Sequence, residues 1–215
     1  MTGTARFIVL EGGDGVGKTT QIALLSAWFD AIGLPHVSTR EPGGTPVGEA
    51  IRALVLGRRD LDMPPESELL LILAARAAFI RDVVRPALDA GTTVLADRFS
   101  LSTLAYQGYG RGLDLDQVRS GIEISTGGLS PDLCLVLDLP ASEGEQRQAK
   151  DGAEPDRIEL AGSGFRQAVR DGYLSLAASE PGVEVVNARG LTEDVHTRIR
   201  DRLIARFPTT FPPFG

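Results

Sequence analysis

Lysine is almost missing from this chain. Of 22 basic side chains only two are lysines, Lys18 and Lys150. Cysteine occurs once, as Cys134, so no internal disulfide can form. Its place in the apolar run Leu133-Cys134-Leu135-Val136-Leu137 reads as buried filler, not as a reactive thiol. Long apolar runs are lacking too. Nothing approaches the roughly 20 residues that cross a bilayer, and Phe7-Ile8-Val9-Leu10 is too short for the core of a signal peptide. Basic clusters are absent, and 29 acids against 22 basic residues leave a net charge of -7. A general electrostatic pull on nucleic acid is thereby excluded. The expected setting is soluble and cytoplasmic, with neither nucleic acid nor membrane among the partners. Affinity for an anion must come from local design.

One stretch supplies such a design. Gly12-Gly13-Asp14-Gly15-Val16-Gly17-Lys18-Thr19 reads G-x-x-x-x-G-K-T, the phosphate-cradling loop. Arg6-Phe7-Ile8-Val9-Leu10 before it is of strand type, and Thr20 to Phe29 after it has a helical pattern. Strand, glycine loop and helix are the context this motif requires. The glycines let backbone N–H groups curl inward at phosphate oxygens. The helix start near Gly17 adds its dipole and unpaired N–H groups. Lys18 brings a point charge to the outer phosphates, and the Thr19 hydroxyl can ligate Mg²⁺. Gly12, Gly13, Asp14, Gly15, Val16, Gly17, Lys18, Thr19 and Thr20 are thus the expected nucleotide-binding residues. A chance match in a glycine-rich chain is the plain alternative, and the flanking pattern weighs against it.

Along the chain, the first helix ends near Gly33, and a short strand covers His36 to Thr39. Thr45 caps a helix to about Leu56, and Glu66 to Val84 reads as a long helix that Pro86 kinks or ends. Thr92 to Ala96 is a buried strand closed by Asp97-Arg98. A helix over about 114–125, a strand over 133–139, a helix over about 164–178, a strand over 183–186 and a helix over 192–207 follow. The segment of about 142–156 is charged and nearly free of apolar residues, and reads as a mobile lid. Residues 208–215 are Pro-rich and read as a loosely ordered tail. The result is a single domain over 1–215. Its fold class is α/β, a P-loop NTPase-type three-layer sandwich with a five-stranded parallel sheet and helices on both faces. Ligands in such sheets bind at the carboxyl ends of the strands, where the glycine loop, Arg40-Glu41 and Asp97-Arg98 collect.

Asp97 can hold Mg²⁺, directly or through water, and Arg98 can clamp a phosphate bidentately. Alternatively they are an ordinary surface pair at a strand end. Arg76 has Ile72, Phe79 and Ile80 as helical neighbours, so it needs a partner. That partner is an internal carboxylate or a substrate, unless the side chain snorkels out to water. Arg147, Lys150 and Arg157 are cations that a closing lid can deliver to a migrating phosphoryl group, or charges on a solvated helix. Asp14 would repel phosphate unless it faces away, toward a sugar hydroxyl or a metal-bound water. It is otherwise a tolerated variable position.

Taken together, these residues resemble bacterial thymidylate kinase over about 6–206. Six blocks carry the likeness: Glu11 to Thr20; Thr39-Arg40-Glu41-Pro42-Gly43-Gly44-Thr45; Ala74-Ala75-Arg76; Asp97-Arg98 with Ser102-Thr103 and Ala105-Tyr106-Gln107-Gly108; Pro131-Asp132-Leu133; and Asp156-Arg157-Ile158-Glu159. The resemblance implies a nucleoside monophosphate kinase that moves the γ-phosphoryl group of ATP to dTMP, giving dTDP for dTTP synthesis. It implies ATP and Mg²⁺, and a homodimer for which Leu69 to Ala75 is a candidate face. By the same resemblance, Lys18, Asp97, Arg98, Arg147 and Lys150 are catalytic, and Thr19 and Asp97 hold the metal. Asp14, Arg40, Ile72, Arg76, Arg98, Thr103, Tyr106 and Gln107 bind the acceptor. Arg76 would read the thymine and Tyr106 would exclude a 2′-hydroxyl. Ile72 departs from the family, which commonly has an aromatic residue there for the base to stack on.

Three rivals have their own discriminators. Another nucleoside or nucleoside monophosphate kinase of this architecture would prefer a different acceptor. A GTP switch would carry an Asn-Lys-x-Asp block, which is absent here, and neither lysine can supply one. A silent interaction protein would not need an intact loop and Asp97-Arg98.

Overall fold

A computed structural model describes residues 5–151 and 156–212. Five parallel strands form one sheet: β1 (Phe7–Glu11), β2 (His36–Arg40), β3 (Thr93–Asp97), β4 (Leu133–Asp138) and β5 (Val183–Asn187), in the order β2-β3-β1-β4-β5. The expected strands therefore all form, with bounds shifted by a residue or two.

The side-chain period of a strand explains the two cores. In β1, Ile8 and Leu10 face one side with Leu95, Leu133, Leu135 and Leu137. Helices α1 (Lys18–Ala31) and α9 (Thr192–Arg206) cover that side through Leu25, Phe29, Val195, Ile199 and Leu203. Phe7 and Val9 face the other side with Val94, Ala96 and Cys134. Because β1 is buried on both faces it is apolar without alternation. Cys134 is buried there as filler, and burial pushes its thiol up well above the ordinary value.

The other α-helices are, in chain order, α2 (Pro46–Arg52), α3 (Pro65–Phe79), α4 (Arg85–Asp89), α5 (Ser100–Thr103), α6 (Leu115–Thr126), α7 (Ala141–Asp151) and α8 (Ser163–Ser179). Local signals set several bounds. The Thr45 hydroxyl accepts from the Gly48 N–H at 2.9 Å, and Asp114 accepts from the Gln117 N–H at 3.0 Å, each capping its helix. Before Pro86 the chain widens into a π-helical turn over Ile80–Val84 and then continues as α4. A proline that lacks its N–H and crowds the preceding turn is accommodated by that widening, so the long helix is not ended there.

The charged lid segment is helical over Ala141–Asp151, and residues 152–155 lie outside the described residues. One expectation changes. The tail expected to be loose from residue 208 is anchored as far as Phe211. That ring is fully buried and lies against Trp28 at 5.7 Å and Phe29 at 5.2 Å between centroids. Pro-rich composition gave no sign that one aromatic would close the α1–α9 face. Residues 213–215 lie outside the described residues.

Candidate active site at the strand tips

Register brings the polar residues together. Leu10 of β1 and Arg40 of β2 both pair with Asp97 of β3, so the tips of three adjacent strands are level. Sheet order reverses about β1, and ligand crevices open at such a switch point. The crevice is a cleft of about 1290 Å³, larger than the roughly 300–1,000 Å³ usual for one small ligand. It is lined by Asp14 to Ile22, by the tips of β2 and β3, by α3, and by Tyr106, Gln107, Arg147 and Lys150.

At the glycine loop, Gly12, Gly15 and Gly17 have φ of 132°, 72° and 97°, a region that L side chains rarely adopt. Gly12 and Gly13 do not line the cleft. Their carbonyls accept the Lys18 ammonium at 3.1 and 2.7 Å. Burial, reinforced by Arg98 nearby, pulls Lys18 down to about 8. Thr19 stands beside it and donates to Asp97 Oδ2 at 3.3 Å. The other oxygen, Asp97 Oδ1, is buried and has no hydrogen-bond partner among the described residues. Among those residues no group of three or more His, Cys, Asp or Glu is arranged to hold a metal.

Arg98 is the centre of the second half. Its φ is 73°, the only positive φ of a non-glycine among the described residues. Nη1 donates to Gly12 O at 2.9 Å and to the Tyr173 hydroxyl at 3.2 Å. Nη2 donates to Asp14 Oδ1 at 2.5 Å and to the Tyr106 hydroxyl at 3.0 Å. Tyr106 in turn donates to Asp14 Oδ2 at 2.9 Å. Asp14 thus faces Arg98 and Tyr106. Burial alone would raise its carboxyl, but Arg98, then Lys18 and Tyr106, hold it below the ordinary carboxylate value. Glu11 braces the turn from beneath. Fully buried, it accepts from the Phe99 N–H at 2.9 Å, the Ser102 hydroxyl at 2.5 Å and the Tyr173 hydroxyl at 3.0 Å. Burial raises its carboxyl, against the pull of those donors.

Arg76 has the internal carboxylate that its apolar setting called for. It is only 1% exposed and pairs with Glu41 Oε2 at 2.8 Å, across the Phe99 ring. Its Nη1, together with Glu41 Oε1 and the Thr103 hydroxyl, has no hydrogen-bond partner among the described residues. All three residues line the cleft, beside Ile72. Burial pushes the Glu41 carboxyl up to about 7, with Arg76 opposing. A pocket with unspent donors and acceptors on an apolar wall fits a flat, polar-edged group.

Other expected residues stand as follows. Thr20 and Arg40 line the cleft, Arg40 at its mouth, where it pairs with Glu49 at 3.3 Å. Gln107 lines the cleft, and its amide nitrogen donates to Glu68 at 2.9 Å. Arg147 donates to Ala188 O at 3.2 Å, and Lys150 lines the cleft from the same helix. Arg157 is corrected: it donates to Val55 O at 2.8 Å and pairs with Glu68, so it is not a free lid cation. Phe99, Ser102, Tyr173, Glu11 and Glu68 were not singled out for roles at the site. Glu68 is four and eight residues before Ile72 and Arg76, so helical spacing on one face could have found it. Tyr173 had no such signal.

A hollow with a cation on either side of one glycine loop suits two anionic partners, and the fold and site together define a P-loop phosphotransferase. Comparison with known proteins gives the family. The thymidylate kinase family model matches residues 10–199. A thymidylate kinase of Exiguobacterium sibiricum is 46% identical over 200 residues, 93% of each chain, and one of a Synechococcus strain is 50% identical over 180 residues, 81% of this chain and 85% of that one. The crystal structure of thymidylate kinase from Ehrlichia chaffeensis superposes with a TM-score of 0.76 at 30% identity, covering 93% of this chain and 98% of that one. The chain belongs to the thymidylate kinase family, the nucleoside monophosphate kinases that phosphorylate dTMP with ATP.

Proposed function

We propose that this cleft joins ATP and dTMP tail to tail and transfers the γ-phosphoryl group in line. An oxygen of the dTMP phosphate attacks the γ-phosphorus as the bond to the β-bridging oxygen breaks, giving dTDP and ADP. The acceptor is already an anion, so no strong general base is needed. Positioning and charge neutralisation carry the rate. Gly15 to Thr20 hold the donor phosphates, Gly12 and Gly13 brace Lys18 through their carbonyls, and Lys18 meets the migrating group. Arg98 holds the acceptor phosphate, while Asp14 and Tyr106 fix the arginine and the sugar side of the pocket. Arg76 and Thr103 meet the thymine against Ile72 and Phe99. Arg147 and Lys150 add positive charge from α7, and Arg40 guards the mouth.

The observation that carries this reading is that Lys18 and Arg98 converge on one hollow. For Mg²⁺, the Thr19 hydroxyl and the unpartnered Asp97 Oδ1 fit a cation that takes its remaining ligands from phosphate and water. When bound there it would offset charge on the donor's outer phosphates. We further infer a homodimer in the cytoplasm. Leu70 on α3 and Ile124 on α6 are 66% and 84% exposed on helices in contact with each other. Of the expected face over 69–75, Ile72, Leu73 and Ala75 are buried within the chain, so the outward part is Leu70 with its α6 neighbour. Among the described residues no helix is long and apolar enough to cross a membrane.

The test is ADP release from ATP across dTMP, dUMP, dCMP, dGMP and thymidine. The reading expects dTMP to be the best acceptor by at least an order of magnitude. Faster turnover with thymidine or a purine monophosphate would overturn it.

A further inference from the structure

Glu68 does not line the cleft, and nothing in the reaction above uses it. Its carboxylate is nevertheless fully buried and gathers donors from three side chains. Gln107 Nε2 donates to Oε1 at 2.9 Å. Arg111 donates through Nε to Oε1 at 3.2 Å and through Nη2 to Oε2 at 3.1 Å. Arg157 Nη2 donates to Oε2. Burial would raise this carboxyl, but Arg111, Gln107 and Arg157 outweigh it and keep the group ionised. Side chains of Arg111 and Arg157 are themselves only 20% and 11% exposed.

Such a network is an expensive way to hold a fold. Two guanidiniums and a carboxylate lose hydration that apolar side chains of the same volume would not have to lose. What the partners have in common is their neighbours. Gln107 sits beside Tyr106 on the π-helical turn Leu104–Gly110. Arg157 lies between Asp156 and Ile158, both of which line the cleft. Its backbone N–H and its Nε are fixed to Leu56 O at 3.0 Å and Val55 O at 2.8 Å. Glu68 itself precedes Ile72 and Arg76 on the same face of α3. One carboxylate thus ties the acceptor wall to the Asp156–Ile158 edge of the same cleft.

We propose that Glu68 is a positioning residue for phosphoryl transfer: it holds the acceptor pocket and the Asp156–Ile158 edge of the cleft in one register, so that water is kept from the γ-phosphate. This rests on the functional reading above. Loss of register has a signature that mere loss of stability lacks. Water replaces dTMP as the acceptor, and ATP and H₂O give ADP and phosphate. ADP then forms without matching dTDP.

The experiment is Glu68→Gln, which keeps the shape and removes the charge. ADP and dTDP are measured in the same reactions, with KM for each substrate. The wild type should give one ADP per dTDP. In the variant we expect kcat/KM for dTMP to fall about 10- to 100-fold, the size usual for an outer positioning partner, with KM for ATP within about twofold. ADP per dTDP should rise clearly above one. An unchanged ratio and an unchanged KM for dTMP would overturn the proposal, because a scaffold role only lowers the active fraction. If Glu68→Gln fails to fold, Arg157→Gln decides by the same two readouts, since it leaves Arg111 and Gln107 on Glu68. Where both variants fold, the double variant should be no worse than the poorer single one; full additivity would count against a shared device. A wild type that does not turn over dTMP would sink the functional reading itself. A normal wild type with one-to-one variants sinks only the role of Glu68.

Discussion

Lys18 Nζ and Arg98 Nη1 donate to the same atom, the carbonyl oxygen of Gly12, at 3.1 and 2.9 Å. Two cations sharing one carbonyl repel each other, and burial adds to the cost. The pair is therefore primed for phosphate on either side of that point.

Lys18 shows this demand as a depressed pKa of about 8. Below that pH the free enzyme carries the ammonium; above it the amine is neutral and ATP loses a charge partner. The alkaline limb of kcat/KM for ATP should bend near pH 8 and then fall up to tenfold per pH unit. Lys18→Met should lose nearly all activity and the limb with it. A profile flat to pH 9.5, or activity within tenfold in the variant, would contradict the role of Lys18.

Arg98 holds a left-handed φ of 73°, which costs a non-glycine residue about 1–3 kcal/mol. Arg98→Ala keeps that strain and Arg98→Gly releases it. Both should lower kcat/KM for dTMP by about 10²–10³, since one charge-stabilising donor set is gone. The Gly variant should be the more stable of the two by about 1 kcal/mol in denaturant unfolding. Equal stabilities would argue against the strained turn.

Gly144 of α7 lies backbone to backbone on the glycine loop. A Cβ on Gly144 would stand 2.5 Å from Asp14 O, and one on Gly15 would stand 2.2 Å from Gly144 O. Gly144→Ala must lift the start of α7 off the loop. We expect about a tenfold loss of kcat, because small misplacements near the transfer point are costly. Gly164→Ala in α8 meets no atom within 4 Å and serves as the control, with unchanged kcat. Wild-type kcat in Gly144→Ala would show that this contact has no bearing on catalysis.

Where the signal is local, it was legible. The glycine loop, the strand ends at Asp97-Arg98 and the cap at Thr45 are set by residues within a few positions of one another. A strand buried on both faces also announces itself as an unbroken apolar run. What stayed hidden is long-range. Arg76 plainly needed a partner, but Glu41 is 35 positions away, and Glu68 collects donors from 39, 43 and 89 positions away. Tyr173 reaches Glu11 across 162 positions. Composition also misjudged the tail: its prolines concealed the burial of Phe211.

The central claim is that donor and acceptor share one cleft, their phosphates meeting between Lys18 and Arg98. The most direct measurement is competition by a single molecule in which adenosine and thymidine are bridged by five phosphates. Calorimetry should give one molecule bound per chain, and both ATP and dTMP should displace it, each alone. Displacement by only one of the two, or simultaneous binding of the bridged molecule and dTMP, would contradict a shared cleft.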